Sequence, residues 1–297
     1  MSIDSLRVQS WPGSYDGDAK PRVGFFTDTS VCIGCKACEV ACKEWNQVPE
    51  DGLNFTGDSY DNTGALGADT WRHVAFIEQR VPLGLDGGAP LVAQAARAEL
   101  DTIPVHEDEG LRWLMSSDVC KHCTQAACLE VCPTGALFRT EFGTVVVQED
   151  VCNGCGYCIP ACPFGVLDQR EDDGRAWKCT LCYDRLKDDL EPACAKACPT
   201  DSIQFGELDE LRERADQRLA TLQDQGVAKA RLYGRDDRDG VGGFGAFFLL
   251  LDEPEVYGLP PDPQVCTRDL GATWKAAGAA GAVLMGTVLA AFARGRR

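Results

Sequence analysis

Histidine is almost missing from this 297-residue chain: His73, His106 and His122 are all it has. A zinc site of mixed cysteine and histidine has few imidazoles to draw on, and neither His73 nor His106, both in loop-rich sequence, reads as a haem ligand. Positive charge is also short. Lysine and arginine total 29 against 46 aspartates and glutamates, a formal net charge of −17, which argues against nucleic acid or anionic lipid as the main partner. No P-loop, Ser/His/Asp set or paired general acid and base stands out. The Cys-x3-Cys-x2-Cys spacing of radical enzymes is missing, and Gly242-Gly-Phe-Gly245 does not match a phosphate-binding fingerprint. Met1–Gly24 has neither an apolar run nor a twin-arginine pair, so no export signal is expected there. These gaps leave little for a hydrolase, a nucleotide enzyme or a nucleic-acid binder to work with.

What the chain has in abundance is cysteine, seventeen residues. A disulfide framework fits poorly: the number is odd, the spacing is mostly two residues, and no secretory signal is expected. Zinc knuckles fit poorly too, because the groups offer three closely spaced thiolates rather than two. The clearest group is Cys152-Asn-Gly-Cys155-Gly-Tyr-Cys158-Ile-Pro-Ala-Cys162-Pro163. This is the bacterial ferredoxin spacing for a [4Fe–4S] cluster, in which the fourth cysteine serves the other cluster of a pair. A short loop can wrap three corners of a cubane, and the fourth corner faces away. Three further groups follow the same logic: Cys32-x2-Cys35-x2-Cys38-x3-Cys42, Cys120-x2-Cys123-x4-Cys128-x3-Cys132, and the split Cys179-x2-Cys182-x11-Cys194-x3-Cys198. Cys266 is left over and reads as a free thiol. Lys36, Lys43, Lys121, Lys178 and Lys196 flank these cysteines, either offsetting cluster charge or pointing to solvent. For His122, inside the second group, a structural or solvent-facing role is expected over a hydrogen bond to sulfur.

Around the groups the fold class is α+β. Residues 1–22 read as an N-terminal arm, and Val23–Thr27 as a strand entering the first group. Residues 49–70 are loop by composition, Trp71–Glu78 alternates like a strand, and residues 82–110 return to loop with an Ala-rich patch (Ala93–Ala98) that predicts a helical turn or two. This insertion carries no nameable chemistry and is expected to face a partner. Leu111–Met115 predicts a strand; Ala136–Arg139 and Thr144–Val147 predict a hairpin. Cys198-Pro-Thr-Asp-Ser-Ile-Gln-Phe205 echoes Cys132-Pro-Thr-Gly-Ala-Leu-Phe138, which makes the chain a duplicated ferredoxin-like unit, two halves of two clusters each. The expected domains are 23–110 with 171–206 as one half, 111–170 as the other, a 207–272 extension, and a membrane helix over 274–293. In the extension, Leu208, Leu211, Ala215, Leu219 and Leu222 form one helical face within Glu207–Ala230, and Ala246–Leu251 reads as a buried strand. Ala276–Ala293 carries no charge, is bracketed by Lys275 and by Arg294, Arg296 and Arg297, and is just long enough to span a bilayer, for which about 20 apolar residues are needed. The arginines put the C-terminus on the cytoplasmic side.

The pattern of the four groups, over about residues 23–205, resembles the four-cluster electron-transfer subunits of molybdopterin oxidoreductases. Cys32-Ile-Gly-Cys-Lys-Ala-Cys38 leading to Glu44-Trp-Asn46, then Lys178-Cys-Thr-Leu-Cys182, Tyr257-Gly-Leu-Pro260 and the C-terminal helix are similar to the β (iron–sulfur) subunit of respiratory membrane-bound formate dehydrogenase. Nitrate reductase relatives carry a tryptophan in the second group and a [3Fe–4S] cluster. Cys120, Cys123, Cys128 and Cys132 are all present here, so the resemblance implies four [4Fe–4S] clusters. It implies the ligand sets Cys32, Cys35, Cys38 with Cys198; Cys179, Cys182, Cys194 with Cys42; Cys120, Cys123, Cys128 with Cys162; and Cys152, Cys155, Cys158 with Cys132. It also implies a non-catalytic subunit that relays electrons in anaerobic respiration. These would run from a molybdopterin (Mo or W) catalytic subunit oxidising formate to a membrane cytochrome b subunit and quinone. The chain would be a single-pass protein of the cell membrane with its clusters on the extracytoplasmic face. The rival readings are the same relay in a polysulfide, thiosulfate or dimethyl sulfoxide reductase, and a stand-alone ferredoxin-like carrier.

Overall fold

A computed structural model describes residues 20–52, 57, 60–61, 63–82 and 109–294. Its framework is a four-stranded sheet of order β8-β1-β10-β9, from β1 (Val23–Asp28), β8 (Ile203–Glu207), β9 (Arg231–Tyr233) and β10 (Ala246–Leu250). β1 runs antiparallel to β8, with Phe25 opposite Phe205, and parallel to β10, with Phe26 opposite Phe247. Alternation along β1 divides its side chains between two cores. Phe25 belongs to the core that holds the cysteines; Phe26 stacks on Phe247 at 5.3 Å in the purely apolar core. That second core is closed by the helix Leu208–Asp224, which buries Leu208, Leu211, Ala215 and Leu222 and half-buries Leu219. Phe26, Phe244, Phe247 and Phe248 are fully buried, each worth about 1.5–3 kcal/mol by apolar burial. The segment read as an extension therefore supplies two of the four strands. Tyr257-Gly-Leu-Pro260 ties it down: Tyr257 Oη accepts from Leu251 N–H at 3.1 Å, and Tyr233 Oη donates to Pro260 O at 2.5 Å.

β2 (Arg72–Pro82) and β3 (Glu109–Val119) form a long antiparallel ribbon, Arg72 opposite Val119; the Ala-rich patch at Ala93–Ala98 lies outside the described residues. Short hairpins follow, β4 (Leu137–Arg139) with β5 (Val145–Val147) and β6 (Asp168–Gln169) with β7 (Ala176–Trp177). Small helices carry the ends of the cysteine groups: α1 (Ala37–Asn46), α2 (Ala127–Glu130), α3 (Cys158–Ala161), α4 (Tyr183–Lys187) and α5 (Ala193–Lys196), with Leu208–Asp224 as α6. α4 is the turn within the split fourth group that leads the backbone back to Cys194. The last helix, α7 (Leu270–Arg294), begins before the expected 274 and buries none of its residues. At 1.5 Å per residue it is about 37 Å long, and it is long and apolar enough to cross a bilayer.

Candidate iron–sulfur centre

Each cysteine group turns on one residue in the left-handed region, just before its second cysteine. In the first and third groups it is a glycine, Gly34 (φ 66°) and Gly154 (φ 70°); in the second and fourth it is His122 (φ 44°) and Leu181 (φ 58°). This turn points successive backbone N–H groups and thiols to one side, a concavity suited to an anion. Gly34 has a second constraint, since a Cβ there would lie 2.7 Å from Met115 Sδ and from the Phe76 ring. His122 and Leu181 accept a cost of about 1–2 kcal/mol that glycine avoids.

The thiols gather in four sets. Cys32, Cys35, Cys38 and Cys198 line one hollow, of about 290 Å³ including its open mouth. Cys120, Cys123, Cys128 and Cys162 line another, of about 330 Å³. The other two sets are visible in how the thiols disfavour one another's ionisation. Burial, then Cys179, Cys194 and Cys182, raise the Cys42 thiol well above its usual range. Burial raises Cys158 to about 11, with Cys152, Cys132 and Cys155 adding to it. Cys132 is the exception: though burial opposes it, hydrogen bonds from Leu137, Thr134 and Ala136 lower its thiol.

Three cross-couplings order the sets in space. Cys38, raised to about 11 mainly by burial, also feels Cys194. Cys179, raised to about 12 mainly by burial, feels Cys120. Cys128, likewise raised to about 12, feels Cys158. The sets thus run in a line: Cys32/35/38/198, then Cys42/179/182/194, then Cys120/123/128/162, then Cys132/152/155/158. Among these sixteen, Cys35 and Cys155 are the exposed ones, in the two end sets. Cys266 is a free, exposed thiol.

The donor chemistry fits iron–sulfur clusters. Among the described residues, no three His, Cys, Asp or Glu side chains converge closely enough for a single metal ion; the thiols surround hollows instead, as a cubane's iron corners require. Buried donors around the hollows also lack protein partners. Arg72, 2% exposed, gives Nη1 to Ser117 Oγ at 3.0 Å, while its Nε and Nη2 find no acceptor among the described residues. Burial opposes its charge, and Cys194 and Cys38, then Cys179 and Cys42, are the groups that would favour it once deprotonated, so it sits where the first two sets meet. Lys178 is buried, donating to Val145 O and to Cys179 O at 2.9 Å, and it feels Cys128, which puts it where the second and third sets meet. Lys121 is buried beside the third set, on Asp118 and Val119 O. Of the flanking lysines, then, these two face inward. Lys43 donates to Pro49 O and Asp69 O, Lys36 pairs with Glu39 and Asp61, and Lys196 is exposed. His122 does not face solvent: it is 1% exposed, and burial, then Lys178, Arg139, Arg22 and Arg72, hold it well below the usual imidazole range.

Sequence reasoning missed Arg72, in the insertion expected to carry no chemistry, and Ser117, just after the strand expected at Leu111–Met115. Ser117 Oγ lies 3.2 Å from Cys38 Sγ. The only available signal was an arginine at the foot of an alternating strand. Asn46, quoted only as part of a resemblance, places Nδ2 3.7 Å from Cys42 Sγ and 3.6 Å from Cys182 Sγ.

Two families described as 4Fe-4S dicluster domains match the chain, over residues 31–136 and 111–208. A formate dehydrogenase iron-sulfur subunit of Haemophilus influenzae is 40% identical over 269 residues, 89% of this chain and 76% of that protein. The nitrate-inducible formate dehydrogenase iron-sulfur subunit of Escherichia coli is 38% identical over 270 residues, 90% of this chain and 81% of that protein. The protein belongs to the family of formate dehydrogenase iron–sulfur subunits. It is an electron-transfer subunit with [4Fe–4S] domains, and not the catalytic one. This iron–sulfur subunit is also similar to a subunit of the anaerobic dimethyl sulfoxide reductase of Escherichia coli, 36% identical over 194 residues, 65% of this chain and 77% of that protein.

Proposed function

We propose that the chain is a wire of four [4Fe–4S] clusters, built as two duplicated ferredoxin-like halves, each half holding a pair that exchanges its fourth cysteine. The ligand sets are Cys32, Cys35, Cys38 and Cys198; Cys42, Cys179, Cys182 and Cys194; Cys120, Cys123, Cys128 and Cys162; and Cys132, Cys152, Cys155 and Cys158. The observation that carries this is that each of two hollows is lined by three cysteines of one group and a fourth from another, with an exposed cysteine in each of two sets, Cys35 and Cys155. The duplication is supported by the matching turns after Cys132 and Cys198. In both, a Pro-Thr pair follows the cysteine, the threonine Oγ1 lies 3.6 or 3.8 Å from its Sγ, and Gly135 or Asp201 takes the left-handed conformation.

Bound clusters would supply one-electron chemistry at potentials set by hydrogen bonds, burial and charge. The chain's own residues isolate the inner sets from water, place buried cations where sets meet, and expose the outer sets. Ile33, Tyr60 and Trp113 are exposed on the Cys35 side, and Val151 and Tyr157 beside Cys155. Such apolar rims suit docking of protein partners. The donor partner is a molybdopterin subunit, with Mo or W, where formate becomes CO2 with release of one proton and two electrons that cross the wire singly. The acceptor is a membrane cytochrome b subunit that reduces quinone. α7 anchors the chain in the cell membrane beside it, and the arginines after α7 put the cluster domain on the extracytoplasmic face.

The test is purification of the native complex in mild detergent, with pterin, Mo/W and iron analysis and formate-to-dye activity. A pterin subunit, about sixteen irons per copy of this chain and formate activity are expected; a native complex without a pterin subunit would sink the reading. The likeness to a dimethyl sulfoxide reductase subunit keeps one rival, the same wire serving a reductase. That outcome would give a pterin subunit without formate activity.

A further inference from the structure

His122 stands between the first two cysteines of its group and is one of the residues that line the hollow of Cys120, Cys123, Cys128 and Cys162. Its backbone is clamped there: Arg22 Nη2 donates to His122 O at 2.9 Å, and Ala246 N–H donates to the preceding Lys121 O at 3.0 Å. Two of the four groups make this turn with glycine. A histidine in its place carries backbone strain, which is tolerated where a side chain has a task. The ring orientation is fixed from the other side. His122 Nδ1 accepts a hydrogen bond from Val145 N–H at 3.0 Å. A ring nitrogen that accepts carries no proton, so the proton is on Nε2. His122 Nε2 is buried and has no hydrogen-bond partner among the described residues. A buried N–H left without an acceptor is costly, and the hollow that the ring lines is where the third ligand set would put cluster sulfur.

We propose that His122 donates its Nε2–H to a sulfur of the cluster held by Cys120, Cys123, Cys128 and Cys162, and thereby raises that cluster's reduction potential. A donor at sulfur withdraws electron density and favours the more negative, reduced state. The proposal rests on the ligand sets given above. In it His122 contacts the cofactor itself, while Val145 N–H acts through the ring, setting its tautomer and angle.

The experiment uses the intact detergent-solubilised complex with EPR-monitored redox titration. In His122→Phe, the cluster whose signal Cys162→Ser abolishes is expected to fall in reduction equilibrium constant by about tenfold, 59 mV for one electron, while the other three hold their potentials. His122→Gln, whose amide can both accept from Val145 N–H and donate to sulfur, is expected to recover part of the shift. Pulsed EPR on complex labelled with [15N]histidine gives a reading that needs no variant to assemble its clusters. The unaltered protein should show a weak imidazole coupling at that cluster, and its absence would overturn the proposal. An unmoved potential in His122→Phe with full iron content would also overturn it. A shift in a signal that Cys162→Ser leaves intact would overturn the ligand sets as well.

Discussion

Arg72 offers the sharpest test of how this fold sets the wire's energetics. Its guanidinium is buried between the first two thiol sets, stacked over Phe25 at 4.9 Å, with two nitrogens that find no partner among the described residues. A unit charge several ångströms from an added electron, at an effective dielectric of about 20, stabilises it by about 3 kcal/mol. For one electron, tenfold in equilibrium constant is about 1.4 kcal/mol or 59 mV, so the effect is roughly 120 mV on each neighbouring cluster. Arg72→Met keeps length and apolar volume but removes charge and donors. It is expected to lower the potentials of the clusters held by the Cys32 and Cys42 sets by roughly 100 mV. Arg72→Lys keeps the charge and loses the planar fork, and should fall well short of that shift. EPR-monitored titration of the three complexes, with iron content as the control, reads both clusters at once. Unmoved potentials in Arg72→Met with iron intact would refute the reasoning, and a shift confined to the Cys152 set would refute the spatial order.

Cys162→Ser should damage the cluster of Cys120, Cys123 and Cys128 and spare that of Cys152, Cys155 and Cys158, even though Cys162 is next in sequence to the latter; EPR of the reduced complex decides, and the opposite loss would mean the fourth cysteines are assigned wrongly. Gly24→Ala puts a Cβ 2.0 Å from Gly245 O, the acceptor for Phe25 N–H at 2.8 Å. It should cost about 1–3 kcal/mol or more, read as a lower melting temperature, whereas Gly278→Ala meets nothing within 4 Å and should melt like the parent. Val283→Arg, near the middle of α7, adds about 2.5–3.5 kcal/mol to membrane insertion; with the chain produced alone, it should move from the carbonate-resistant membrane pellet to the soluble fraction, and retention in the pellet would count against a spanning helix.

Local chemistry was legible before any fold was known. Cysteines spaced for a cubane leave a mark that composition cannot hide, and the β4–β5 hairpin and the stripe of Leu208, Leu211, Ala215 and Leu222 follow from turn and periodicity rules within a few residues. What stayed dark was long-range. Thr29 Oγ1, just past β1, donates to Leu249 O in β10, 220 positions away, and nothing in either segment names the other, since register and partner are set by the packed sheet. Burial of ordinary residue types was equally silent. Lys121 and Lys178 look like Lys196 in sequence, yet two are enclosed and one is exposed. Arg72 lies in a stretch whose loop-like flanks drew attention away from the ribbon it begins. His122 reads as structural or solvent-facing until Val145 N–H is seen to occupy one of its two nitrogens.

The buried cations argue for the clusters from the opposite direction to the cysteines. Arg72, Lys121 and Lys178 are all at most 2% exposed, and the partly buried Arg22 and Arg139 stand near them. Burial, then Arg139 and Arg212, pull the Arg22 guanidinium down to about 9, and burial lowers Arg139 as well. Enclosed like charges of this kind are costly when nothing opposes them. Among the described residues, Asp118 on Lys121 is one partner of opposite charge, and the hydrogen bonds of Lys178 go to carbonyl oxygens. The thiols cannot balance the charge by ionising alone, because burial and mutual repulsion hold Cys38, Cys128 and Cys179 at about 11 to 12. Bound iron removes that obstacle, since metal binding requires and stabilises the thiolates. Four thiolates around each cubane would then leave a net negative centre beside these cations. Neither the cations nor the thiols are stable partners for burial by themselves, and both become so around the same cofactor. The apolar core of Phe26, Phe244, Phe247 and Phe248 needs no such compensation, so on this reading the sheet would hold its shape while the cluster face would draw on the metal for stability.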